Sequence, residues 1–201
     1  MGISTASGLT RGMLLRRGAA GGVALVAAGS LASAALGAAP PDGDLAALRL
    51  LIGAELLALD FQAQALASGK LGTRATATFK RMRADEQAHC NGLATLLSEA
   101  DQTPATADDI DFAYPRGTFT KEAAIIKAAT ELEALQLGAY VGANAGVQTP
   151  ALRLAIAQIS ANEAQHAAAL AALAGKPVIG KPFGPALDAA AVTTMLNAYE
   201  S

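Results

Sequence analysis

The chain reads as all-α: four long helices in two antiparallel hairpins, joined by a long crossover and followed by a short C-terminal helix. Three observations predict this. Alanine and leucine dominate, tryptophan is absent and β-branched residues are sparse, a composition that favours helix. Apolar residues recur at three- and four-residue steps through four separate stretches. Two of the breaks between stretches are short and carry turn residues, while the middle break is unusually long for a compact domain.

Residues 1–39 read as an export signal. Arg11, Arg16 and Arg17 make a basic start, and an uncharged Ala/Gly/Val/Leu run follows from Gly18 to Ala39. Adjacent Arg16-Arg17 ahead of a weakly hydrophobic run resembles a twin-arginine signal, the route for proteins that fold before export. The small residues of Ala32-Ser-Ala34 offer a cleavage site, with a second after Ala39. The expectation is a periplasmic or extracellular protein with no stable membrane span once the signal is removed. Removing 1–39 takes away three arginines and no acid, leaving 12 basic against 17 acidic residues, a balance of −5. Such a surface does not invite nucleic acid.

The bundle is expected over 40–175. Asp44 is placed as the N-cap of a first helix, 44–68, whose stripe is Leu48, Ile52, Glu55, Leu59, Gln62 and Leu66. Gly69-Lys-Leu-Gly72 ends it. The second helix, 73–100, has the stripe Phe79, Met82, Glu86, His89, Leu93 and Leu96. Residues 101–118 form the crossover; their four aspartates lack the glycine and terminal glutamate of a calcium loop and read as a solvated connection. A third helix spans 120–145, with Thr120 as its cap. The fourth opens at Thr149-Pro150 and stops at Gly175-Lys-Pro177, with Leu152, Ile156, Ile159, Glu163, His166, Leu170 and Leu173 as its stripe. Residues 176–201 hold a Pro/Gly loop and a short helix, 186–199, expected to pack on one end of the bundle.

The chemistry lies in the stripes. The chain has two histidines, and each follows a glutamate by three residues: Glu86-Gln-Ala-His89 and Glu163-Ala-Gln-His166. At that spacing carboxylate and imidazole share one helix face, and both pairs fall on core-facing positions. Glu55 also interrupts an apolar stripe. On the third helix Glu131 and Glu133 compete. Lys127 lies four residues before Glu131, as for a solvent-side ion pair, whereas Glu133 shares a face with Ile126, Ala129, Leu137 and Tyr140. Packing phase selects Glu133. Glu55 and Glu86 are equidistant from the first turn, and Glu133 and Glu163 from the second. Each pair is therefore level, about 15 residues or ~22 Å from its turn.

Four carboxylates in an apolar core need compensating cations. Two divalent ions provide them, bridged by Glu86 and Glu163, with Glu55 and Glu133 as terminal ligands and one histidine, His89 or His166, completing each. Oxygen-rich donors with one imidazole per ion suit iron or manganese ahead of zinc. Asp85 and Asn162, each directly before a Glu-x-x-His glutamate, are candidates to hold the outer nitrogen of the opposite hairpin's histidine. Tyr140 is a candidate to hydrogen-bond a ligand. The single cysteine, Cys90, excludes an intramolecular disulfide and reads as a small buried hydrophobe.

The order Glu55, Asp85-Glu86-x-x-His89, Glu133, Asn162-Glu163-x-x-His166 resembles the ferritin-like superfamily, especially its bacterioferritin, rubrerythrin and manganese-catalase patterns. The whole chain is similar to exported bacterial ferritin-like domain proteins. The resemblance implies a ferritin-like four-helix bundle over about 42–200 with those six residues as metal ligands. The resemblance does not supply a settled activity. Two bridged metals able to share an O–O ligand and supply two electrons make redox chemistry on Fe(II), dioxygen or peroxide the expectation. It would be of ferroxidase, peroxidase or catalase type, with no catalytic group separate from the ligands. Asn162 departs from the aspartate of the pattern, and no cysteine-rich iron site accompanies the bundle. Metal ions and small oxidants are the expected partners, with a homo-oligomer compatible. The alternative is a non-catalytic ferritin-like module of the cell envelope, or a storage cage, for which no assembly motif is visible.

Overall fold

The computed structural model describes residues 39–200, so the export signal read at 1–39 lies, but for its last residue, outside the described residues. Helix α1 spans Asp42–Ala67, α2 Thr73–Glu99, α3 Glu122–Gly146, α4 Pro150–Leu173 and α5 Ala189–Asn197. A single 3₁₀ turn, Ala107–Asp109, interrupts the crossover. Among the described residues there is no strand, and no helix is long and apolar enough to cross a membrane.

Helices α1 and α2 form one hairpin and α3 and α4 the other, with α1 packed on α3 and α2 on α4. Gly69 makes the first turn at φ 65°, a left-handed conformation that favours glycine. Helix α4 begins at Pro150 behind Thr149 and ends in a Schellman turn: Gly175 takes φ 66° and the Lys176 N–H donates to the Ala171 carbonyl at 2.8 Å.

The crossover runs the length of α1. Arg49 donates to Gln102 near its start, and Tyr114 donates to Asp60 at 2.8 Å further along. Phe61 then meets Tyr114 and Phe119 at ring distances of 5.5 and 5.3 Å. At the far end Glu122, in the first turn of α3, accepts from the Gly72 N–H in the opposite hairpin's turn. Helix α1 is consequently buried well beyond its narrow stripe, at Leu51, Leu57, Phe61 and Ala65 as well as Leu48 and Ile52.

Three local expectations are corrected. Asp44 does not cap its own helix, which starts behind Pro41. Its buried carboxylate accepts instead from the Gln148 and Thr149 N–H groups, at 2.9 and 2.8 Å, and ties the start of α1 to the α3–α4 turn. A long-range partner with two aligned donors outcompetes a local cap. Thr120 turns back onto the Gly117 carbonyl at 2.7 Å, so α3 starts behind Lys121 without a side-chain cap. Helix α5 packs not on one end but along the flank, over α1 and α3. Asp188 caps it through the Ala191 N–H, and Phe112 and Glu200 form an isolated bridge between crossover and tail. The flank admits it because α3 carries glycine there. The Leu187 N–H donates to the Gly138 carbonyl at 2.9 Å, and a Cβ on Gly142 would stand 1.8 Å from the Leu187 carbonyl oxygen.

Two outcomes follow. Gly142→Ala, which would ordinarily favour a helix by roughly 0.5–1 kcal/mol, should instead release the tail, read as rapid proteolysis after residue 185 with α1–α4 still protected. Burial raises the Asp44 pKa, but hydrogen bonds from Thr149 and Gln148, with the Arg153 charge, win and hold it below the usual value. A depressed folded pKa stabilises above the unfolded value and loses that contribution as pH falls through the folded one. Asp44→Asn should therefore cost about 1–3 kcal/mol in urea unfolding at pH 7, with the gap to wild type closing as the pH is lowered through the acid range.

Candidate metal centre

Each hairpin delivers its groups at mid-height. Glu55 stands mid-way along α1 and Glu133 mid-way along α3, while Glu86 and His89 lie one turn apart on α2, as Glu163 and His166 do on α4. Buried apolar side chains flank the layer along the same helices: Phe79, Met82 and Leu93 on α2, Ile156, Ile159 and Leu170 on α4. The four glutamates and His166 are buried, and His89 is nearly so. Glu131 points to solvent and pairs with Lys127 at 2.5 Å.

All six groups converge. His89 Nδ1 lies 3.0 Å from Glu163, 3.3 Å from Glu86 and 3.7 Å from Glu55. His166 Nδ1 lies 3.3 Å from Glu86, 3.4 Å from Glu163 and 3.6 Å from Glu133. These contacts are close but mostly unaligned. His166 Nδ1, both oxygens of Glu163 and one oxygen each of Glu55 and Glu133 are buried without a hydrogen-bond partner. Buried polar atoms normally have partners, so atoms crowded together yet facing past one another mark a point aimed at in common. There are two such points. Glu55, Glu86, His89 and Glu163 bring one ligand atom each within 4.8 Å of one another, as do Glu86, Glu133, Glu163 and His166. Glu86 and Glu163 belong to both quartets. The donor set fits a pair of divalent cations.

Electrostatics explain how the cluster tolerates burial. Burial first, then the Glu86 charge, raises Glu55 well above the carboxylate range against the pull of His89; burial likewise raises Glu133 against His166. Burial also works against Glu86, but His166, His89 and Glu55 hold it well below its ordinary value. Burial disfavours charge on His89, yet Glu163, Glu55 and Glu86 push its pKa up to about 12, and Glu133, Glu163 and Glu86 raise His166 in the same way. Burial and the Glu55 and Glu86 charges push the Cys90 thiol up to about 11, so it stays protonated as a small apolar group.

The neighbouring groups are distributed unevenly. Tyr140, fully buried, donates its phenol to Glu55 across the α1–α3 interface, not to Glu133 on its own helix. Asp85 reaches the opposite hairpin, with Oδ2 3.5 Å from His166 Nε2, and also pairs with Arg81 at 3.0 Å. His166 Nε2 nevertheless has no hydrogen-bond partner, and Asn162 makes no hydrogen bond to His89, so neither residue holds the outer nitrogen of a histidine as expected. Two residues were missed altogether as site groups. Gln62 and Gln136 are buried and donate to the two oxygens of Glu86 at 3.3 and 3.5 Å. The available signal was spacing, since Gln62 follows Glu55 by seven residues and Gln136 follows Glu133 by three.

A family model described as a ferritin-like domain matches residues 43–176, two thirds of the chain. The chain belongs to the ferritin-like domain family. The match starts at the second residue of α1 and ends in the Schellman turn after α4, so it spans all six converging side chains of this ferritin-like protein. No curated protein matches the sequence.

Cation binding at Nδ1 requires each imidazole to lose its proton. Because the His89 pKa is raised to about 12 and that of His166 is raised too, affinity should climb with pH through the neutral range, by about tenfold per unit for each ion. Metal titration in weak buffer with a pH indicator should register at least one proton released per ion. Uptake without proton release would contradict histidine ligation.

Proposed function

We propose that this ferritin-like protein holds two divalent ions, iron or manganese, and uses them for redox chemistry on Fe(II), dioxygen or peroxide. The observation that carries the reading is the pair of quartets sharing Glu86 and Glu163, with their buried, unpartnered donor atoms. Glu86 and Glu163 would each span both ions. Glu55 and His89 would complete one position, and Glu133 and His166 the other. Two redox-active ions held side by side supply two electrons together, which is what cleavage of an O–O bond requires.

The chain's own groups do the rest. Four carboxylates against two divalent ions leave the centre without net charge, which permits its burial. Gln62 and Gln136 hold Glu86 by both oxygens, and Tyr140 holds Glu55 in its rotamer. The apolar layers above and below limit water. Oxygen donors with a single imidazole favour iron or manganese over zinc, because a structural zinc site usually has more nitrogen or sulfur. We also propose that the protein works outside the cytoplasm, on the strength of Arg16-Arg17 and the uncharged run behind it. A route that exports folded chains would let the centre be loaded before transport.

The test is metal content of protein purified without chelators from cells supplied with iron and manganese. About two equivalents per chain are expected, falling to none in a Glu86→Ala/Glu163→Ala double variant. Peroxide consumption or Fe(II) oxidation by the wild type should vanish in that variant. A loaded protein that is inert, but loses much of its thermal stability on chelation, would mean that the ions serve structure alone.

A further inference from the structure

Large apolar side chains that stand in water are ordinary when scattered and informative when they cluster. Among the described residues the exposed ones are Leu154, Val178, Ile179, Phe183 and Met195. Val178, Ile179 and Phe183 lie together in the loop between α4 and α5. Ile179 and Phe183 are 87 % and 88 % exposed, close to what a free peptide would show.

The loop stands clear of the bundle. It is held at its two ends, where the Lys176 N–H donates to Ala171 and the Leu187 N–H to Gly138. Between these anchors no backbone hydrogen bond forms among the described residues. A Cβ added at Gly180 or Gly184 would meet nothing within 4 Å. Pro177, Pro182 and Pro185 stiffen the run and remove three N–H donors from it. Its charge is also unlike that of the rest of an acidic chain. From Ala174 to Leu187 the only charged side chains are Lys176 and Lys181, both exposed and neither in an ion pair.

We propose that the 176–183 loop anchors the protein to an anionic lipid surface. Val178, Ile179 and Phe183 enter the headgroup boundary, while Lys176 and Lys181 meet the lipid phosphates. The unpaired backbone keeps the insertion shallow, because free N–H and C=O groups do not enter hydrocarbon. Attachment is therefore reversible and needs both the apolar and the basic part. A second copy of the chain fits less well. A two-fold contact sets the same patch against itself and would bring four lysines together. At no more than ~250 Å² even for an aromatic, three side chains also stay below the ~1,000 Å² of a stable protein interface. This inference stands apart from the two-ion reading.

The experiment uses Phe183→Trp in the full chain. The natural chain has no tryptophan, so the emission reports position 183 alone. That matters because the uncharged run at 18–39 is itself a route to lipid, and pelleting with vesicles would not separate the two. On phosphatidylcholine vesicles containing about one third phosphatidylglycerol, the emission should shift to the blue and be quenched by brominated acyl chains. Lys176→Gln/Lys181→Gln in that background should weaken the response about tenfold, and added salt should act the same way. Ile179→Ser should weaken it severalfold. Melting curves should match the parent, since the loop lies outside the core. Emission that ignores anionic vesicles, or responds equally to pure phosphatidylcholine, would overturn the inference. So would a blue shift without lipid that grows with protein concentration alongside a doubled mass, which would assign the loop to a second copy.

Discussion

Four glutamates meet inside an apolar bundle, and the rest of the structure answers to the cost of putting them there. An uncompensated buried carboxylate is expensive enough either to hold a proton or to acquire a cation. Both responses are visible. Glu55 and Glu133 are pushed towards the protonated form, while Glu86 keeps its charge by facing two imidazoles. A cluster that changes its proton count to stay neutral is well suited to exchange protons for metal ions. The donor groups of Gln62, Gln136 and Tyr140 hold its carboxylates in place.

The same constraint explains the frame. Six side chains from four helices must arrive at one height, so slippage of either hairpin would separate the quartets. Each end of the bundle carries a tie between hairpins. Asp44 joins the start of α1 to the α3–α4 turn, and Glu122 joins the start of α3 to the α1–α2 turn. Between them the crossover lies along α1 with its aromatic cluster of Phe61, Tyr114 and Phe119, and the tail covers the α1–α3 flank through Gly138 and Gly142. These ties fix the register on which the centre depends.

Much of this was legible in advance. Glycines at the first short turn, and Gly146 and Pro150 at the second, set the hairpins, and stripe phase separated Glu133 from Glu131 because a two-residue offset reverses the face of a helix. The equal distances of Glu55 and Glu86, and of Glu133 and Glu163, from their turns placed the layer. Asp44 and Thr120 depart from the local expectation for a common reason. A cap is a local inference, and both oxygens found other partners, one of them over a hundred residues away. Gln62 lies in its stripe, but an amide in a seam does not announce which carboxylate it will meet.

The sequence by itself determined the helices, their turns and the set of groups that must share the core, because periodicity and breakers act within a few residues. Only the tertiary structure decided how those groups divide their labour. Tyr140 serves Glu55 and not Glu133, Asp85 comes within 3.5 Å of His166 while Asn162 makes no hydrogen bond to His89, and two glutamines converge on Glu86 and none on Glu163. Each of these choices depends on distances between helices and on side-chain rotamers across an interface. Such quantities emerge only when the hairpins dock, so a near-symmetric sequence pattern yields an asymmetric centre.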